Sequence, residues 1–137
     1  MSVALDVDPA GDDRRAVIAT FTRALDRFAS KHVDARAIDR GGIPPALLAQ
    51  LARLGVFGVT LPARWGGSEL GLAGACSVVE TLARHDRAIA TTVGLHLGLG
   101  TRALVAHGDE AQKDRFLPGL ANGARIAAFS VTEPGAG

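Results

Sequence analysis

The 137-residue sequence contains no tyrosine, one tryptophan, one methionine and one cysteine. Aromatic residues make up 4% and hydrophobic residues 47%, so any core must be largely aliphatic, which suits helices rich in Ala and Leu. The lone Cys76 excludes an intramolecular disulfide and favours a reducing compartment such as the cytoplasm. Its neighbours Ala75, Val78 and Val79 predict a buried, inert thiol. Lys and Arg number 15 against 14 Asp and Glu, and no basic stripe with interleaved aromatics occurs, which argues against a nucleic-acid partner. The longest uncharged run, 88–101, falls short of the roughly 20 apolar residues that a membrane span needs. Residues 1–13 are acidic and lack the basic start of a signal peptide.

Several chemistries lack their motifs. His32, His85, His96 and His107 have no metal-ligand spacing, and there is no His-Glu-x-x-His run. Neither a Gly-x-Ser-x-Gly elbow nor a phosphate-binding Walker loop occurs. Gly135-Ala136-Gly137 has no third glycine and no following helix, so it is not a dinucleotide fingerprint. The expectation is no metal site.

What is present is mostly helical periodicity. Residues 1–11 read as a flexible arm. A helix is expected from Asp12-Asp13 to about Ala37, with Val17, Phe21, Leu25 and Phe28 on its buried stripe and Arg23, Arg27 and Lys31 in solvent. Pro44-Pro45 opens a second helix, Leu47, Leu51 and Leu54 share its face, and Gly55 caps it. Residues 56–62 read as a buried extended segment, followed by a loop anchored by Trp65. Residues 72–85 form a third helix with Cys76, Val79 and Leu82 (or Ala83) inward. Residues 89–107 form a fourth, apolar on most sides and therefore central. Asp109 and Gln112 form a capping box for a fifth, which Pro118 should bend or restart and Asn122-Gly123 should close.

Three features of the helical region could carry function. Gly94, Gly98 and Gly100 each weaken their helix by about 1 kcal/mol relative to Ala, so they serve close packing or clear space for a ligand. His96 reads as a hydrogen-bonded core histidine, with a ligand contact as the alternative. Glu80 reads as a surface or capping partner, and Glu133 as a structural acceptor in a turn. No residue reads as catalytic.

After five helices, residues 126–132 read as a short apolar strand stopped by Glu133-Pro134-Gly135. Small residues at its end leave backbone N–H groups open to a flat polar ligand. The run Ala128-Phe129-Ser130-Val131-Thr132-Glu133-Pro134-Gly135-Ala136-Gly137 resembles the flavin-binding segment of the acyl-CoA dehydrogenase family, where a Ser-Asp pair follows. Gly55-Val56-Phe57-Gly58, Leu61-Pro62, Trp65-Gly66-Gly67, Glu80-Thr81-Leu82-Ala83-Arg84, residues 108–113 from Gly108 to Lys113, and Leu117-Pro118 are similar to family segments upstream. The resemblance covers nearly the whole chain.

It implies an all-α N-terminal domain over residues 12–124, with residues 125–137 opening a middle β domain by a short strand; a C-terminal four-helix domain completes the family fold. It also implies FAD as cofactor, a homo-oligomer, and an acyl-CoA thioester that loses hydrogen from its α and β carbons. Phe129, Ser130, Val131, Thr132 and Gly137 match flavin-binding positions, and Thr92, Leu95 and Leu99 match positions lining the acyl pocket. The family's glutamate base matches nothing here, so this portion is expected to be inactive by itself. Flavin monooxygenases and acyl-CoA oxidases share the fold and are the enzymatic alternative. A non-catalytic helical interaction module is the other.

Overall fold

The structure, a computed structural model, describes residues 9–135; the first eight residues of the expected arm and Gly137 lie outside them. Seven α-helices are present among the described residues: α1 (Pro9–His32), α2 (Ala35–Gly41), α3 (Pro45–Arg53), α4 (Gly71–Ala83), α5 (Arg87–Leu95), α6 (Thr101–His107) and α7 (Glu110–Ala121). The all-α expectation is met. Helix α1 already includes Pro9–Gly11, and it ends at His32 instead of Ala37. The reason is Asp34: its carboxylate accepts from the Ala37 N–H at 3.1 Å and starts α2 as a separate element.

Several local stop and start signals act as read. Pro45 opens α3, and Gly55 follows its end with φ 80°. Asp109 and Gln112 form the full capping box, at 2.7 and 3.0 Å. Pro118 neither ends nor restarts α7, which runs through it to Ala121. Gly123 then turns the chain at φ 72°, where an added Cβ would lie 2.6 Å from Phe57 Cδ2.

Two apolar clusters make the core. The larger gathers Leu25 of α1, Ile38 of α2, Leu51 of α3, Phe57, Val78 and Leu82 of α4, and Ile89 and Val93 of α5. Fully burying each Leu, Ile or Phe contributes about 1.5–3 kcal/mol. The smaller joins Leu61 and Trp65 to Leu117, Leu120 and Ala121 of α7. Residues 56–62 are buried as expected but not extended. They fold through a 3-10 turn at Val56–Gly58 and further tight turns, with Gly58 N bonded to Gly55 O and Leu61 N to Gly58 O. Local bonds satisfy a backbone that has no neighbouring strand.

Several faces differ from the periodic reading. Val17 is 53% exposed, and Ile18 and Ala29 are buried in its place. Leu54 is at the surface, and Cys76 is exposed, the inward face of α4 being Gly74, Val78, Thr81 and Leu82. One polar link ties the layers: His85 Nε2, in the turn after α4, lies 2.8 Å from Asp26 Oδ1 of α1; Glu80 pairs locally with Arg84 at the end of α4.

Helices α5 and α6 form one continuous rod, Arg87–His107, joined by a π-helical segment at His96–Gly100. With 21 residues and a mean hydropathy of 1.2, the rod is long and apolar enough, by length and composition, to cross a membrane. In the fold it is a core helix, with Ile89, Val93, His96, Leu97 and Thr101 buried. The strand expected at residues 126–132 does not form a ladder. Those residues are irregular, and among the described residues only Glu133 has an isolated bridge. A strand needs a neighbour for its N–H and C=O groups, and the described residues offer none.

Candidate functional site

The site is built around the π segment. An i−5 bond, from the Thr101 N–H to the His96 carbonyl, marks the widened turn. The Leu97 carbonyl accepts from the hydroxyls of Thr60 and Thr101, at 3.4 and 3.3 Å. Such widened turns often sit at functional sites.

His96 is fully buried beneath this turn. Its Nε2 lies 3.1 Å from the Phe57 carbonyl, which can only accept, so Nε2 carries the proton. Its Nδ1 accepts the Ala127 N–H at 3.0 Å. The two bonds together select the neutral Nε2–H tautomer. Burial pushes the imidazole below its ordinary pKa, while the backbone of Phe57 and Leu120 works in the opposite direction. The core-histidine reading of His96 is the one the structure supports.

Ala127 is where the C-terminal segment meets the rod. Ala124 N bonds Asn122 Oδ1 at 2.9 Å, and Arg125 N bonds Gly119 O at 2.9 Å. Ala127 then rests on Gly100, where an added Cβ would come within 2.5 Å of Ala127 Cβ. The glycines therefore divide: Gly100 serves close packing, while Gly98 has nothing within 4 Å of an added Cβ and clears space.

The candidate residues lie on the two elements that this junction joins, the rod and the C-terminal segment. Thr92 is half-buried, and Leu95 and Leu99 are 44% and 54% exposed along the rod. Their spacings of three and four residues carry them along one side. Phe129, Ser130, Val131 and Thr132 are exposed just beyond the Ala127 anchor, with Phe129 at 52% and Val131 at 69%. His96 and Ala127 connect the two groups.

Other features escape the sequence reading. The seam between α4 and the rod holds a depression of about 390 Å³ floored by Ala75, Gly94, Leu97 and Gly98, with Glu80 and Arg102 also lining it. Trp65, buried as expected, donates Nε1–H to Asp114 at 2.8 Å, and Arg64 stacks on its ring at 3.6 Å. No local pattern announces these pairings across the chain. The Gly98/Gly100 pair was the one available signal for an irregular helix. No group of three metal-capable side chains occurs among the described residues.

A fold of this kind, with a buried histidine fixing a C-terminal segment against a central rod, can be compared with known proteins. The profile of the acyl-CoA dehydrogenase N-terminal domain matches residues 12–124. The chain belongs to the acyl-CoA dehydrogenase family. It is 42% identical over 88 residues to mitochondrial isovaleryl-CoA dehydrogenase of Pongo abelii, covering 64% of this chain and 21% of that protein. The crystal structure of acyl-CoA dehydrogenase from Geobacillus kaustophilus matches 98% of this chain and 34% of its own, at 26% identity and a TM-score of 0.78. Acyl-CoA dehydrogenase from Bacillus anthracis, complexed with FAD, matches at 28% identity and a TM-score of 0.65, over 96% of this chain and 22% of its own. The chain thus spans between 21% and 34% of the length of these relatives.

Proposed function

We propose that this chain supplies the N-terminal domain of an FAD-dependent oxidoreductase, which dehydrogenates acyl-CoA thioesters between their α and β carbons as a homo-oligomer. The observation that carries the reading is the Ala127–His96 hydrogen bond. Phe129, Ser130, Val131 and Thr132 follow that anchor as an exposed segment, and Thr92, Leu95 and Leu99 lie on the rod that carries His96. One group offers open main chain, two hydroxyls and a ring to a flat cofactor. The other offers an aliphatic wall to an acyl chain.

The residues present fit one side of a flavin site, since residues 129–132 are not used in a strand ladder. Bound FAD supplies the redox chemistry, and the protein's part is to orient it and exclude water. Pockets cover about 70–90% of a bound small molecule, so two exposed walls need the remainder of a full-length enzyme to hold it firmly. FAD is therefore expected to bind the 137-residue chain weakly or not at all.

A chimera tests this, with residues 1–137 replacing the matching part of the Bacillus anthracis enzyme. It is expected to purify yellow, and its flavin to bleach when acyl-CoA is added without oxygen. A folded chimera that takes up no FAD, or whose flavin ignores every acyl-CoA, overturns the reading.

A further inference from the structure

Of the bonds that tie the C-terminal segment to the helices, the one from Ala127 lies nearest the exposed residues 129–132, and its acceptor is a titratable ring. The Nδ1 lone pair of His96 can accept only while that nitrogen is bare. A proton there would set one N–H against another and place a charge in a fully buried position. The ring has no room to turn away. Phe57 packs against it edge-on, with centroids 5.1 Å apart and planes at 74°, and the Phe57 carbonyl holds the opposite nitrogen.

Among the described residues, no charged side chain is paired with the ring. Residues 56–58 carry none. Arg87 and Arg102 on the rod, Asp114 and Arg115 on α7, and Arg125 and Glu133 on the segment itself are all exposed. Lys113, half-buried on α7, is paired with Glu110. Burial lowers the ring's pKa, and the backbone of Phe57 and Leu120 opposes it.

We propose that His96 is a positioning residue: its neutral imidazole pins residues 126–132 against the rod, and its protonation unpins them while the helical frame stays folded. The asymmetry follows from what each bond supports. Losing the Ala127 bond loosens a segment that is mostly exposed, whereas α4 and α5 are held by the larger apolar cluster. The inference concerns attachment of the segment alone, so it stands whether or not a flavin binds there.

The test is amide exchange and side-chain nitrogen NMR on the ¹⁵N-labelled 137-residue chain, between about pH 8 and pH 5, the window in which histidine titrates. After correction for the intrinsic pH dependence of exchange, the Ala127 amide is expected to lose at least about tenfold protection as pH falls, a factor worth about 1.4 kcal/mol. Its midpoint should coincide with that of the His96 ring nitrogens, while α4 and α5 amides hold their protection. His96→Gln, which keeps one donor and one acceptor but cannot titrate, should make the segment indifferent to pH. Should that variant fail to fold, the coincidence of the two midpoints in the unaltered chain decides the question. Three results overturn the proposal: segment and helices opening together, a segment midpoint distinct from that of His96, or a pH response that persists in folded His96→Gln.

Discussion

Trp65 and Asp114, 49 residues apart in sequence, meet through a 2.8 Å hydrogen bond from the indole N–H to a carboxylate oxygen. The bond fastens the loop before α4 to α7, and Arg64 reinforces it by stacking on the ring and pairing with Glu110 at 3.0 Å. Because Trp65 is only 7% exposed, removing its acceptor leaves a donor with little access to water. Asp114→Ala is expected to cost about 1–2 kcal/mol, the usual penalty for an orphaned polar group. The sole tryptophan reports the change directly, by fluorescence during urea unfolding. An unchanged midpoint would remove the bond's structural importance.

The two glycines of the π segment should respond oppositely to alanine. Gly98 has open space for a Cβ, so Gly98→Ala is expected to stabilise by about 0.5–1 kcal/mol through reduced backbone entropy. At Gly100 the new methyl would collide with Ala127, so Gly100→Ala should lose that gain and loosen the C-terminal segment. Melting temperatures of the two variants, read side by side, give the sign of each. A shared increase would contradict the close contact at Gly100.

Stability should also depend on pH through His96. Burial lowers its folded pKa below the ordinary value of about 6.5. On acidification the unfolded chain therefore takes up the proton first. The stability held by the neutral ring is complete above about pH 6.5 and is lost as pH falls through the folded pKa. Denaturation midpoints for the unaltered chain should fall over that interval. Those of His96→Gln should fall less, and parallel curves would remove His96 as the source.

In the chimera proposed above, Thr132→Val should lower FAD occupancy or shift the flavin absorption. The substitution keeps the shape of the side chain and deletes its hydroxyl, and an unmet partner in a closed site costs about 1–3 kcal/mol. Flavin-to-protein absorbance ratios measure this. Full occupancy with an unchanged spectrum would remove the Thr132 hydroxyl from the flavin site.

What the sequence made legible was local. The Asp109–Gln112 box, the Pro45 start and the turn at Gly123 depend on residues a few positions apart, and each has the structure expected of it. Faces were harder. Val17 and Ile18 are equally apolar neighbours, and only the packed partner decides which turns inward. Cys76 reads as buried from its neighbours, yet α4 meets the rest of the core through Val78 and Leu82. The run at 56–62 has strand-like composition, but with no sheet beside it the backbone closes into turns. Of the candidate site, the residue types were readable. The His96–Ala127 bond joining them spans 31 residues and leaves no periodic trace.

The π segment also gives the rod two phases. Each α-helical residue advances the chain by about 100°, and the widened turn takes in an extra residue without completing an extra turn. The rod enters with Ile89, Val93 and Leu97 facing the larger cluster and leaves with Leu104 and Val105 against the smaller one. A uniform helix would keep a single face inward along its whole length. The bulge thus works as a phase adapter, letting one rod belong to both cores. Deleting a single residue between 96 and 100 would rotate α6 by about 100° relative to α7.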